Sequence, residues 1–162
     1  MEKDHEPKNT PVINVLEGQW EVCFTPSKTC QSLIISNILA AKKTILVQAY
    51  SFTDKDIIEA IAQAKHNGVN VKVILDKSNR TDRYSQLSEL KRKTVPVKID
   101  EPSGIAHNKV IIIDDSKVIT GSYNFSNAAY KRNTENVLIL SDKKLAHEYT
   151  QNWLYRWSIS KP

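Results

Sequence analysis

The sequence predicts an α/β domain in which helices flank a mixed β-sheet. Runs with apolar residues at every second position alternate along the chain with runs whose apolar residues recur every three or four positions. The chain has 162 residues, which is the size of one domain and enough to bury a core without added cross-links. We therefore expect a loose tail over residues 1–16, which are polar and aperiodic, and one folded domain over residues 17–162.

The predicted elements follow one another in a regular order. Strand patterns cover residues 20–24, 44–51, 69–76, 97–99, 109–114, 117–120 and 136–140. Helix patterns cover residues 29–41 and 142–157, with a short one around Leu87 and Leu90. A further helix is predicted to begin at a cap, Thr53, and to end at Gly68. No internal repeat interrupts this order, so the domain occurs once.

The amino-acid composition and net charge limit the kind of protein that this chain can be. Hydrophobic residues make up 40% and charged residues 25%, an ordinary globular balance. Lys and Arg number 23 against 18 Asp and Glu, and the net charge of +5 permits a polyanionic partner without requiring one. No apolar run is long enough for a membrane span, and the first residues show no apolar secretion leader.

The two cysteines, Cys23 and Cys30, leave two interpretations open. They lack the second pair that a structural zinc site requires. Either they close a small disulfide loop, which would imply an oxidising compartment, or they are two unrelated thiols.

The residues best suited to catalysis lie in one segment of the chain, between His107 and Asn124. His107 and Lys109 are two residues apart on a predicted strand, so both side chains reach the same pocket. Asp114 has the opposite parity and is expected to support the structure elsewhere. Ser122 and Asn124 follow the next strand and also share a face.

These residue types suit phosphate chemistry. A neutral imidazole is a competent nucleophile, and a lysine cation with hydroxyl and amide donors would bind nonbridging phosphate oxygens. None of these groups needs a metal ion or another cofactor. A carboxylate on the other imidazole nitrogen would hold the ring in place, and Glu135 is the candidate.

The spacing of these residues resembles the signature of the phospholipase D superfamily. The matching run is His107-x-Lys109-x4-Asp114-x6-Gly121-Ser122-x-Asn124. Residues 21–157 more widely resemble the small bacterial endonucleases of that superfamily, which implies their fold. Asp114 and Gly121 are then expected to support the motif structurally.

The resemblance also implies a role for each site residue. His107 would attack phosphorus and form a covalent phosphohistidine. Lys109 and Asn124 would bind the phosphate with help from Ser122, and Glu135 matches the acidic residue that hydrogen-bonds the nucleophile. Members of the family work without a divalent metal, so no metal site is expected.

One copy of the motif supplies only one histidine of this kind, whereas full-length phospholipases carry two copies. The other histidines, His5, His66 and His147, have no lysine two residues further on. The leaving oxygen still needs a general acid. The resemblance therefore predicts a homodimer with one composite active site across a two-fold axis.

The leading hypothesis is a metal-independent, nonspecific endonuclease that cleaves DNA, with RNA left open. A phospholipid hydrolase of the cardiolipin type is the alternative enzyme, and a non-catalytic nucleic-acid-binding module is the alternative from another class. Exported relatives and the cysteine pair favour a periplasmic or secreted location and leave a cytoplasmic one open.

Basic residues offer contacts to a nucleic-acid substrate. Lys131 and Arg132 follow closely on the Asn124 loop, so they are well placed near the site. Arg80 and Arg83 belong to a basic stretch that is either a phosphate-binding surface or an ordinary solvated face.

Overall fold

A computed structural model describes residues 19–162, so the predicted tail over residues 1–16 lies outside the described residues. Seven strands form one sheet in the order β1-β7-β6-β5-β2-β3-β4. The strands are β1 (Gln19–Phe24), β2 (Thr44–Ala49), β3 (Asn70–Asp76), β4 (Val97–Asp100), β5 (Lys109–Ile113), β6 (Lys117–Gly121) and β7 (Asn136–Ser141). The helices are α1 (Thr29–Ala40), α2 (Lys55–His66), α3 (Leu87–Arg92), α4 (Asn127–Lys131) and α5 (Lys143–Ile159), with a 3₁₀ turn at Lys77–Arg80.

The sheet has a parallel half and an antiparallel half, as the predicted mixed sheet requires. Strands β2, β3 and β4 are parallel, and the crossovers between them carry α2 and α3. Strands β5, β6, β7 and β1 are antiparallel to their neighbours. The two halves meet where β2 pairs antiparallel with β5. The predicted fold class is confirmed.

Helices cover both faces of the central strands. Ile111 and Ile113 of β5 belong to the larger core, with the apolar residues of α1 and α2. Val110 and Ile112 belong to a smaller core with Trp153 of α5. The alternation explains why β5 is apolar on both faces. Among residues 19–162, none of the helices has both the length and the apolar character needed to cross a membrane.

The cap of α2 is Asp54, so the prediction of Thr53 at this position is wrong. The Asp54 carboxylate accepts hydrogen bonds from the backbone N–H groups of Asp56 and Ile57, at 2.9 and 3.3 Å. The Thr53 N–H instead donates to the carbonyl of Phe125, 2.9 Å away. The Asp54 N–H donates to the same carbonyl at 2.9 Å, so this contact holds both residues ahead of the first turn of α2.

The edge strand β1 forms as predicted, and its two aromatic residues face solvent. Trp20 and Phe24 are 65% and 67% exposed, whereas Cys23 between them is buried. The buried Cys23 is joined by a disulfide to Cys30 at the start of α1, with the two Cα atoms 5.7 Å apart. The covalent link therefore fastens the edge strand to the first helix.

Candidate active site

The reactive pair lies where β5 begins, beside the carboxyl end of β2. Lys109 pairs with Ala49, and the Tyr50 N–H donates to the Asn108 carbonyl at 3.0 Å. The ring centroids of Tyr50 and His107 are 4.9 Å apart. The sequence predicted that His107 and Lys109 share a pocket, and the structure brings them together here.

His107 and Lys109 differ sharply in burial. Lys109 is only 9% exposed, whereas His107 is exposed to solvent. The Lys109 ammonium donates to the His107 carbonyl at 2.8 Å and lies 3.0 and 3.1 Å from the two ring nitrogens. Burial lowers the pKa of Lys109, and the negative charge of Glu135 partly opposes that shift. The site thus places a buried cation against an accessible imidazole.

Asp76 holds the backbone next to His107, a role that the sequence analysis missed. Its side chain is 1% exposed at the end of β3, and its Oδ1 accepts from the Ala106 N–H at 2.8 Å. Burial raises the pKa of Asp76, but hydrogen bonds from Ser78 and Ala106 outweigh it and leave that pKa below the ordinary value. Its position at the carboxyl end of a parallel strand, where ligand sites gather, was the available signal.

Gly121 lets β6 pass close to the start of β7. Its φ is +145°, and a Cβ at this position would lie 2.3 Å from the Asn136 carbonyl oxygen. Any larger residue would push the two strands apart. The glycine therefore fixes the position of Ser122, the next residue.

The Ser122 hydroxyl is engaged with the protein. It donates a short hydrogen bond to Glu135 and accepts from the Asn136 N–H at 3.1 Å. Glu135 is held in turn by Thr25, whose hydroxyl oxygen accepts from the Glu135 N–H at 2.8 Å. Because its proton goes to Glu135, Ser122 in this conformation connects Glu135 to the end of β6.

Glu135 does not hydrogen-bond the His107 imidazole in this structure. Its carboxylate accepts from Ser122 and, at 3.4 Å, from the Asn133 amide. No hydrogen bond between Glu135 and His107 occurs within residues 19–162. The orienting role of Glu135 stays a prediction.

Asn124 follows β6 with an unsatisfied side chain. Its Oδ1 is buried and has no hydrogen-bond partner in the described part of the chain. The next residue, Phe125, is 2% exposed and packs against Phe52 with ring centroids 5.5 Å apart. This packing anchors the loop that presents the Asn124 amide.

Asp114 lies at the opposite end of β5 from His107. Its carboxylate accepts from the backbone N–H groups of Lys42, Lys43 and Thr44 at 3.0, 2.7 and 3.0 Å. Burial raises the pKa of Asp114, but these hydrogen bonds dominate and hold that pKa below the ordinary value. The residue therefore ties the β5–β6 turn to the loop before β2.

The four basic residues proposed as substrate contacts have different surroundings. Arg80 forms an ion pair with Glu101, and Lys131 lies 5.6 Å from the centre of the Tyr130 ring. Arg83 and Arg132 line one groove beside the start of α2. Within the described chain, no group of three or more His, Cys, Asp or Glu side chains could hold a metal ion.

Comparisons with a family model and with individual proteins all indicate the same family. The family model described as "Cardiolipin synthase, PLD-like domain" matches residues 34–157. A Rickettsia conorii protein named phospholipase D is 51% identical over 149 residues, which cover 92% of this chain and 74% of that protein. A zebrafish (Danio rerio) mitochondrial cardiolipin hydrolase is 29% identical over 136 residues, 83% of this chain and 60% of that protein.

Solved structures agree with the sequence comparisons. The phospholipase D family member Nuc from Salmonella typhimurium superposes with a TM-score of 0.85 at 36% identity, covering 90% of this chain and 97% of that one. NucT from Helicobacter pylori gives a TM-score of 0.81 at 26% identity, covering 90% and 99% of the two chains. With the fold, the motif and these relatives in agreement, the chain belongs to the phospholipase D superfamily and is a phosphodiesterase of that superfamily.

Proposed function

We propose that the protein is a metal-independent endonuclease that cleaves DNA, and RNA where it is accessible, through a phosphohistidine. The observation that carries the proposal is the accessible His107 imidazole with the buried Lys109 cation against it, 3.0 Å away. An uncharged imidazole supplies the electron pair, and the adjacent cation stabilises the charge that builds up on phosphate.

The reaction proceeds in two displacements. A ring nitrogen of His107 attacks phosphorus, the bond from phosphorus to the leaving oxygen breaks, and a general acid gives that oxygen its proton. The same group then removes a proton from water, which attacks phosphorus and breaks the bond to His107. Lys109 and Asn124 bind the nonbridging oxygens throughout, Lys109 through its ammonium and Asn124 through the N–H donors of its side-chain amide.

The general acid comes from a second copy of the chain. His66 ends α2, whose twelve residues separate it by about 18 Å from the site end of that helix. His147 contacts Asp115 at 3.3 Å, beyond the far end of β5. Neither of these two histidines lies at the site, and His5 lies outside the described residues. A homodimer that brings two His107 side chains together would supply the general acid and complete the chemistry.

Glu135 is the proposed orienting residue for the imidazole. Its charge already acts on Lys109, and its hydrogen bond to Ser122 links it to the motif. In the dimer, a change of side-chain rotamer or the approach of the partner brings its carboxylate to a His107 ring.

Nucleic acid is supported as substrate by the net charge of +5 and by the cations Arg83 and Arg132, which line one groove. A cardiolipin-type phospholipid is the second candidate substrate, since relatives carry the names phospholipase D and mitochondrial cardiolipin hydrolase. The Cys23–Cys30 disulfide supports action in an oxidising compartment, periplasmic or extracellular.

The test uses the purified protein in excess EDTA with single-stranded DNA, duplex DNA, RNA and cardiolipin liposomes, and His107→Ala as the control. We expect cleavage of nucleic acid by the wild type and none by the variant. Turnover of liposomes alone would replace the proposal with the lipid hydrolase. Gel-shift binding without cleavage would favour the non-catalytic binding module.

The dimer has its own test. Solution mass should be twice the 18.4 kDa of the chain. Mixed dimers of one wild-type and one His107→Ala subunit should be inactive, because both imidazoles act on one phosphate. A fully active monomer would contradict the composite site.

A further inference from the structure

A groove beside the catalytic pocket contains an exposed aromatic ring that the proposed mechanism does not use. The groove encloses about 890 Å³, within the range of ligand sites, and lies between the start of α2, the loop before α3 and the residues that follow Asn124. The ring belongs to Tyr84, which is 64% exposed.

The loop that carries this ring is fixed at several points. The Gln86 N–H donates to the Phe52 carbonyl at 2.8 Å, and the Ser85 hydroxyl donates to the Asn79 side chain at 2.8 Å. The Tyr84 N–H itself donates to Asp82 Oδ1 at 2.8 Å. The ring therefore projects from a held backbone, which lowers the entropy cost of binding a ligand against it.

Arg83 stacks on Tyr84 and leaves the rest of the ring open. Its guanidinium carbon lies 4.7 Å from the ring centre, and its Nη2 donates to the tyrosine hydroxyl at 2.7 Å. Such a pair presents a flat π surface with a cation next to it. Unpaired nucleobases bind surfaces of this kind by stacking, with little dependence on sequence.

The groove is lined by three acidic and three basic residues, and its carboxylates already have protein partners. Glu59 and Glu89 are paired with Lys93 at 3.0 and 3.6 Å, and Asp82 Oδ1 accepts from the Tyr84 N–H at 2.8 Å. Lys55 and Arg132 line the same groove and have no ion pair within residues 19–162. Cations without a protein partner are therefore available to the backbone of a bound strand.

The groove is lined by residues that lie close along the chain to residues of the catalytic pocket. Ser126 lines it two residues after Asn124, and Thr53 lines it three residues after Tyr50, whose ring contacts His107. The chain spans at most about 3.6 Å per residue, so Ser126 stays close to Asn124 and Thr53 stays close to Tyr50. We therefore place the groove next to the phosphate that His107 would attack.

We propose that Tyr84 is the platform of a base-stacking subsite, which binds an unpaired nucleotide adjacent to the phosphate being cleaved. The inference rests on the proposed function and deepens it, because a base inside a duplex is not free to stack on this ring. It makes single-stranded nucleic acid the preferred substrate class.

Binding is measured without cleavage, in a His107→Ala background, by fluorescence anisotropy of two labelled strands. One is oligothymidylate, and the other is an abasic strand with the same phosphates and length. We expect Tyr84→Ala to weaken binding of oligothymidylate about tenfold and to remove its advantage over the abasic strand. Tyr84→Phe is the matched control and should keep that advantage, since it keeps the ring.

A second variant separates phosphate binding from stacking. Arg132→Ala should weaken both strands alike and reduce the slope of log affinity against log salt by about 0.7. The inference is overturned if the starting protein does not distinguish the two strands, or if Tyr84→Ala affects both equally or neither. Absence of cleavage by the wild type in EDTA would defeat the proposed function and leave this binding result unchanged.

Discussion

The two ends of strand β5 carry parts of one sequence motif and are built in opposite ways. At the first end the His107 side chain is exposed, and its described contacts are the Lys109 ammonium and the Tyr50 ring. At the other end the Asp114 carboxylate accepts three backbone hydrogen bonds in a tight turn. One end therefore keeps a group available for reaction, and the other saturates a group to fix the fold.

The turn at the second end explains why an aspartate is suited to it. Asp114 and Asp115 both have positive φ, 54° and 50°, and the Ser116 N–H closes the turn on the Ile113 carbonyl at 3.0 Å. Aspartate tolerates this conformation better than most residues do. Its carboxylate also satisfies the N–H groups of a neighbouring loop, so the motif aspartate contributes to stability.

The largest effect should follow loss of the cation at the reactive end. We expect Lys109→Met to lower kcat about 10²- to 10³-fold with little change in melting temperature, because it removes the charge beside the phosphate. Lys43→Met, near the Asp114 end, is the matched control and should keep full activity. Steady-state kinetics measures kcat for both variants. Equal losses of kcat would show that the two ends of β5 do not differ in function.

The disulfide between the edge strand β1 and α1 should matter for stability. Cys23 and Cys30 are seven residues apart in sequence, and closing so short a loop stabilises by about 2.5 kcal/mol on the chain-entropy account. We expect the double alanine variant to lose about that much in urea unfolding under oxidising conditions. Under a reducing agent, the wild type should approach the variant. A persistent difference would show that packing, and not the covalent bond, is responsible.

At the far end, Asp114→Asn should cost about 2 kcal/mol of stability at neutral pH, with activity kept wherever the variant is folded. The pKa of Asp114 is depressed in the fold, so its ionised form stabilises above the ordinary aspartate value of about 3.9. The advantage of the wild type over the variant should therefore persist down to about pH 4. It should then disappear as the pH falls through the depressed pKa. Urea titrations at several pH values measure this difference, and a constant gap would contradict it.

A smaller effect on kcat should distinguish a residue that positions His107 from one that only stabilises the fold. We expect Asp76→Asn to lower kcat about tenfold with little change in KM, because the Ala106 backbone beside His107 loses its charged acceptor. Asp100→Asn is the matched control, since Asp100 is also buried at a strand end but pairs with Arg156 at 2.8 Å. It should lose stability and keep kcat. If both variants lost kcat, Asp76 would be a structural residue with no specific role in positioning His107.

Periodicity predicted the fold well because each strand and helix is fixed by local patterning of apolar residues. The apolar run of β5 and the stripe of α2 are examples. The prediction that failed concerns a helix end. Thr53 was predicted to cap α2, but the Asp54 carboxylate does so, and the N–H groups of both residues donate to the distant Phe125 carbonyl.

The candidate site also divides into features that the sequence predicts and features that it does not. Motif spacing was enough to predict that His107 and Lys109 share a pocket. It gave no sign that Asp76, about thirty residues earlier in the chain, would bond to Ala106. Nor did it show that Arg80 would pair with Glu101. These partners come from other strands and loops, and sequence patterns carry little information about such pairings.

The most direct test of the account is to trap the covalent intermediate on His107. The wild type is mixed with excess substrate for a few milliseconds, quenched in alkaline denaturant and digested, and its peptides are analysed by mass spectrometry. The account predicts a nucleotide-derived phosphoryl adduct on the His107 imidazole that appears and decays within one turnover. Rapid cleavage with no adduct at His107, or with the adduct on another residue, would contradict it.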